Sequence, residues 1–199
     1  MVIGVGLVIL GCRKWYIIQK ELDEQVKSDT IIKKMGATQL NTSASIAKAY
    51  DEVVSEEETV TQVTTDKVIK YMEIEDKCYD YFLQKYSKRF YLKQNLRINN
   101  FSYDMIGISK NASTDYIFEI KYWTRKPSDG QMKQLYEQIN KLGTNYKQTT
   151  EHNFEYVIIF VSTRSQLEQV RDKVKKFSAN YKHGITEWIN YRYLVDEDL

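Results

Sequence analysis

Three side chains near the middle of the chain carry the chemistry of a metal-assisted hydrolase: Asp104, Glu119 and Lys121. They lie in Phe101–Trp123, FSYDMIGISKNASTDYIFEIKYW, which reads as two strands joined by the polar loop KNASTD. Alternate residues of a strand share a face, so Glu119 and Lys121 point the same way, roughly 7 Å apart. If the two strands pair as neighbours, Asp104 comes beside them. Converging Asp and Glu oxygens suit a hard divalent ion such as Mg²⁺. A lysine on the same face can orient or deprotonate an attacking water and stabilise developing negative charge. Ion, water and lysine together are equipment for cutting a phosphodiester.

The strands that would hold these groups are apolar on both faces. Ile117 and Trp123 share the face of Glu119 and Lys121, while Tyr116, Phe118, Ile120 and Tyr122 take the other. Such a strand is usually central and covered, and a charge within it is costly unless it is paired or coordinated. Asp104 likewise shares its face with Ile106 and Ile108. A site is the stronger reading than a solvated face.

The arrangement of Asp104 with Glu119-Ile120-Lys121 resembles the core of the PD-(D/E)xK nuclease superfamily, the restriction-endonuclease-like fold. Tyr103 stands where the proline that names the motif would be. The resemblance covers Thr65 to the C-terminus. It implies that Asp104 and Glu119 bind Mg²⁺ (or Mn²⁺) and that Lys121 assists the water. Members often direct an extra glutamate from the first helix at the metal. Glu75 is the candidate for that position, with Asp76 as the alternative. Some also carry a glutamine early in the following helix, which points to Gln131 as a further catalytic residue.

The flanking elements agree with that fold. Asp66 to about Tyr86 reads as an amphipathic helix capped by Thr65 or Asp66. Turned at about 100° per residue, Ile69, Met72, Tyr79, Phe82 and Leu83 form one face that includes Glu75 and leaves Glu73 outside. A second helix, about Asp129 to Tyr146, puts Met132, Leu135, Ile139, Leu142 and Tyr146 inward and Tyr136 off the face. Phe154–Ser162 is a nearly continuous apolar strand. A helix follows over Ser165–Ala179, with Leu167, Val170, Val174 and Phe177 inward, and a last strand lies within Gly184–Val195. The expected class is α/β, a restriction-endonuclease-like mixed sheet flanked by helices in the order α-β-β-β-α-β-α-β.

Composition is that of an ordinary globular chain: 199 residues, 42% hydrophobic and 28% charged, with a net charge of +2. Charge distribution says more. Lys85–Arg97 holds five basic residues and no acidic one, and Arg125 and Lys126 follow the site. Lys88, Arg89, Lys93, Arg125 and Lys126 are therefore the candidate contacts to a nucleic-acid backbone, with DNA ranked ahead of RNA. A homodimer is a further expectation, since many such nucleases pair to cut two strands. Cys12 and Cys78 are too few for a disulfide framework, and two histidines in unrelated places make no zinc site. There is no Gly-rich phosphate loop or nucleophile elbow.

Residues 1–12, MVIGVGLVILGC, are almost wholly apolar and are followed by Arg13, Lys14, Trp15 and Tyr16. That run is shorter than the roughly 20 residues that span a bilayer. Three readings compete: a short membrane anchor holding the remainder in the cytoplasm, a lipoprotein signal ending at Cys12 that lacks a charged start, and a buried or disordered end of a soluble protein. The anchor ranks first. The expected organisation is an anchor-like segment at 1–18, a helical or flexible linker at 19–64, and a nuclease-like domain at 65–199. The linker would hold a charged helix over Lys14–Met35 and then a stretch poor in apolar residues, including Glu56, Glu57 and Glu58. A binding or assembly domain that keeps the fold without catalysis is the alternative function.

Overall fold

The computed structural model describes residues 2–56, 63–111, 114–181 and 188–199, with side chains from residue 13 onward. The chain divides into two compact units, Met1–Ala37 and Thr38–Leu199. The first is one helix, α1 (Val2–Lys34), continuous through the expected boundary at residue 18. Lys33 and Lys34 favour its C-terminus, and Gly36, at φ 64°, supplies the left-handed turn that ends it. Trp15, Tyr16, Ile17 and Ile18 are exposed. Among the described residues no helix is long and apolar enough to cross a membrane. The side chains of residues 2–12, on which the anchor reading rests, lie outside the described residues.

The second unit is α/β. The elements are β1 (Ala37–Gln39), α2 (Thr42–Glu56), α3 (Thr65–Tyr86), β2 (Phe90–Ile98), β3 (Phe101–Ser109), β4 (Thr114–Tyr122), α4 (Asp129–Thr150), β5 (Asn153–Ser162), α5 (Leu167–Asn180) and β6 (Ile189–Val195). The strands form one six-stranded sheet in sequence order. The pairs β2–β3 and β3–β4 are antiparallel, while β4–β5 and β5–β6 are parallel. The helices between parallel strands are crossovers, as apolar strands flanking a helix require. The start of the expected last strand, before residue 188, lies outside the described residues, as do Glu57 and Glu58.

The faces of β4 divide as the alternation dictates. Tyr116, Phe118, Ile120 and Tyr122 join the cluster that α3 covers through Ile74, Cys78 and Phe82. Ile117, Glu119, Lys121 and Trp123 take the opposite face and are all buried. Two expected helix faces are corrected. The buried stripe of α3 is Val68, Tyr71, Ile74, Glu75, Cys78 and Phe82, and Ile69 is half exposed. Tyr71 sets that rotation by donating from its hydroxyl to Ile120 O at 2.6 Å. Tyr136 is buried, since α5 brings Phe177 and Tyr181 against its ring.

The largest difference concerns the stretch read as linker. Thr42–Glu56 is a helix that begins where Asn41 Oδ1 accepts the Ala44 N–H at 2.9 Å. Its Ala49 and Val53 pack with Val68 and Tyr71 of α3. The compact unit that holds the sheet thus starts at Thr38, well before Thr65. Only two apolar side chains of α2 are buried, too weak a pattern to identify an inward face by periodicity alone.

Candidate functional site

The ladder between β3 and β4 pairs Met105 with Phe118, Ile106 with Ile117 and Gly107 with Tyr116. Asp104 and Glu119 are the next residues out from the Met105–Phe118 pair. There the Ile120 N–H donates to Asp104 Oδ2 at 2.6 Å, so the aspartate side chain ties the two strands together. β2 is irregular at the same level. Its pairing with β3 runs through Gln94–Met105 and Leu96–Tyr103 and omits Asn95 and Asp104. Asn95 has φ 52°, a left-handed conformation that asparagine tolerates better than most residues.

Two buried ammonium groups organise the carboxylates. Lys48 of α2 lies 2.7 Å from Glu75 Oε1 and 2.7 Å from Asp104 Oδ1, and donates to Asn95 Oδ1 at 3.2 Å. Lys121 of β4 lies 3.0 Å from Glu119 Oε1 and makes a close ion pair with Glu52 of α2. Gln138 of α4 bridges the second group, donating to Glu119 Oε1 at 3.0 Å and to Glu52 Oε1 at 3.4 Å. Four carboxylates, all less than a tenth exposed, thus face two ammonium groups.

That crowding of buried carboxyl groups shows in the protonation behaviour. Burial, then repulsion from Asp104, pushes the Glu119 carboxyl up to about 8 against the opposing pull of Lys121. Burial likewise raises Glu75 to about 7, with Lys48 opposing. Burial alone would lower the lysines, but Asp104 and Glu75 hold Lys48 above its ordinary range, and Glu52 and Glu119 do the same for Lys121. Both lysines are therefore cations at neutral pH.

Asp104, Glu119, Lys121 and Glu75 are brought together, whereas Asp76 is exposed and hydrogen-bonded to Gln94. Gln131 lines a small pocket with Lys121 and Gln138 and donates to Ser55 O of α2 at 3.4 Å, but touches none of the carboxylates in the contacts above. It forms a capping box with Ser128, accepting from Ser128 N at 2.8 Å and donating from its own N–H to Ser128 Oγ at 3.2 Å. Seven residues on, two helical turns along the same face, Gln138 is the glutamine that touches Glu119. Lys88 and Arg89 sit in the turn before β2, six or more residues from Asn95. That is about 20 Å along the strand from the carboxylates. Lys93 is half-buried in β2, and Arg125 and Lys126 are exposed in the loop before α4.

A groove of about 490 Å³ reaches the cluster, lined among others by Lys48, Glu52, Asp104 and Gln138, with Arg97 and Lys141 as exposed cations. The sequence alone gives Lys48, Glu52, Arg97 and Gln138 no site role. The available signal was the stripe Lys48, Ala49, Glu52, Val53, whose i, i+1, i+4, i+5 spacing places two charges beside two apolar residues on one helical face.

Among the described residues no three His, Cys, Asp or Glu side chains stand as a metal-binding group. The donors nonetheless match a hard divalent ion in kind: they are all oxygens, and four carboxyl groups meet only two ammonium groups. Compared with known protein families and with curated proteins, the chain matches none.

Proposed function

We propose that this chain is a metal-dependent nuclease of the restriction-endonuclease-like fold, hydrolysing phosphodiester bonds with Mg²⁺ or Mn²⁺ and acting on DNA in preference to RNA. The observation that carries the reading is the meeting of Asp104, Glu119 and Lys121 at the end of the β3–β4 ladder, with Glu75 beside them and a groove leading in.

Asp104, Glu119 and Glu75 would hold the ion. The ion supplies Lewis-acid activation of water and offsets phosphate charge. Lys121, fixed as a cation between Glu119 and Glu52, donates to the water or to the negative charge that develops on the phosphate. Gln138 orients Glu119 from α4. Arg97 and Lys141 stand where a phosphate backbone entering the groove would pass, which makes them better placed for that contact than Lys88 or Arg89.

The direct test uses the full chain on plasmid, single-stranded DNA and RNA, each with Mg²⁺, Mn²⁺ or EDTA. Metal-dependent cleavage, lost in Lys121→Ala and Asp104→Ala, is the expected result. A folded protein that cuts none of these substrates would overturn it. A second reading, a binding or assembly domain that keeps the fold without catalysis, is favoured by one observation: both ammonium groups already neutralise neighbouring carboxylates without an ion.

We propose further that the N-terminal segment tethers the chain to the cytoplasmic face of a membrane. Arg13 and Lys14 beside the exposed Trp15, Tyr16, Ile17 and Ile18 support this. The full chain should float with anionic vesicles, and a chain lacking residues 1–18 should not. Equal behaviour of the two would refute it.

A further inference from the structure

Lys48 occupies a position whose geometry is that of a cation site. Its ammonium is surrounded by Glu75 Oε1 at 2.7 Å, Asp104 Oδ1 at 2.7 Å and Asn95 Oδ1 at 3.2 Å. Those oxygens come from α3, β3 and β2, none of them from the helix that carries the lysine. The three donors converge on the ammonium that α2 supplies. Asn95 contributes through an unusual backbone, φ 52°, at the very step where the β2–β3 pairing is interrupted.

We infer that the cradle of Glu75, Asp104 and Asn95 is a divalent-cation site in which Lys48 acts as a tethered resident cation, and that the ion enters by displacing it. The inference rests on the nuclease reading for the biological ion and adds to it Asn95 as a ligand and α2 as the element that closes the site. Charge favours the exchange. A divalent ion brings two positive charges to these crowded carboxyl groups where the ammonium brings one. Mn²⁺ or Mg²⁺ would also draw the oxygens in, since Mg²⁺–oxygen distances are about 2.0–2.1 Å. The displaced side chain has somewhere to go, since Lys48 itself lines the groove.

The exchange differs from a fixed ion pair in what happens to the lysine. In the full-length wild-type chain, acetylation of Lys48 by an N-hydroxysuccinimide ester, read by mass spectrometry, should rise at least fivefold with Mn²⁺. Lys121, held between Glu119 and Glu52, should stay protected. Calorimetric titration of Lys48→Met with Mn²⁺ should show at least tenfold tighter binding than wild type, and Asn95→Ala should bind more weakly. Mn²⁺ that binds without exposing Lys48 would overturn the inference, as would unchanged affinity in a folded Lys48→Met. So would the absence of Mn²⁺ binding to wild type and Lys48→Met alike. The labelling uses wild type alone, so it decides the matter even if Lys48→Met does not fold. Displacement by Mn²⁺ in a protein that cleaves no nucleic acid would refute the nuclease reading and leave the cation site standing.

Discussion

The two ends of β4 each bury a carboxylate, and they satisfy it by opposite means. At the N-terminal end Asp115 is almost inaccessible. It accepts from the Ser109 N–H at 2.9 Å and the Tyr146 hydroxyl at 2.8 Å, and lies 2.8 Å from His152 Nδ1. One carboxylate meets three separate partners, and no second carboxylate crowds it within that set of contacts. At the C-terminal end Glu119 shares its surroundings with Glu52 and Asp104, Glu75 joins Asp104 on Lys48, and the cations are fewer than the carboxyl groups. The first arrangement is complete as it stands and pins a strand end to α4. The second crowds four carboxyl groups around two ammonium groups, so that Glu119 and Glu75 keep protons into the neutral range, an arrangement that suits a divalent ion. Burial of an acid is therefore a weaker sign of function than a crowded group of buried acids.

The comparison can be broken at its strongest point first. In the full chain, Asp104→Asn and Lys121→Ala should each lower cleavage by about 10²- to 10³-fold, the size of loss seen when a group that stabilises transition-state charge is removed. Circular dichroism should show the sheet intact. Retained cleavage in either variant would mean that the crowded end of β4 is structural after all. Chelation by EDTA should abolish activity in wild type, and Mg²⁺ should restore it.

Asp115→Asn sharpens the contrast from the other side. It should cost about 1–3 kcal/mol of stability, the usual penalty for weakening a buried hydrogen-bonded group, and lower the melting temperature. Cleavage per folded molecule should stay at the wild-type level. Loss of cleavage without loss of stability would make the Asp115 end part of the site.

Glu52→Gln tests whether α2 belongs to the chemistry. It leaves Lys121 its ion pair with Glu119, and cleavage should fall about tenfold, the fall expected from about 1.4 kcal/mol of lost transition-state stabilisation. No change would return α2 to a purely structural role. The smallest effects separate two glutamines of α4. Gln138→Ala should slow cleavage more than Gln131→Ala. The latter breaks the capping box with Ser128 and should mainly lower the melting temperature, by an amount matching about 1 kcal/mol. The reverse order would restore Gln131 as the working residue.

The sequence by itself determined the strand pair that carries Asp104, Glu119 and Lys121, the division of β4 into two buried faces, and the helix–strand–helix run from α4 to α5, but not the position of β2, whose residues read as a basic run. These follow from periodicity and from local turn and capping chemistry, which act over a few residues. Glu75 was legible for the same reason, as an acid within a buried helical stripe, although the stripe itself lies further round, towards Tyr71 and Cys78, than the apolar residues alone implied.

The tertiary structure decided what those residues meet. Helix α2 buries Ala49 and Val53 together with Glu52, while Lys48 lies at the edge of the same stripe. A charge on a buried face is tolerable only when its partner arrives, and here the partners are 27 to 69 residues away in sequence. Periodicity reports that a face is covered, never by what. Tyr136 is buried because α5 crosses it, and Lys88 and Arg89 are remote from the carboxylates because β2 carries them away. Those are consequences of packing between distant segments. The balance of four carboxylates against two lysines, on which the functional reading depends, exists only once α2, α3, β3 and β4 have come together.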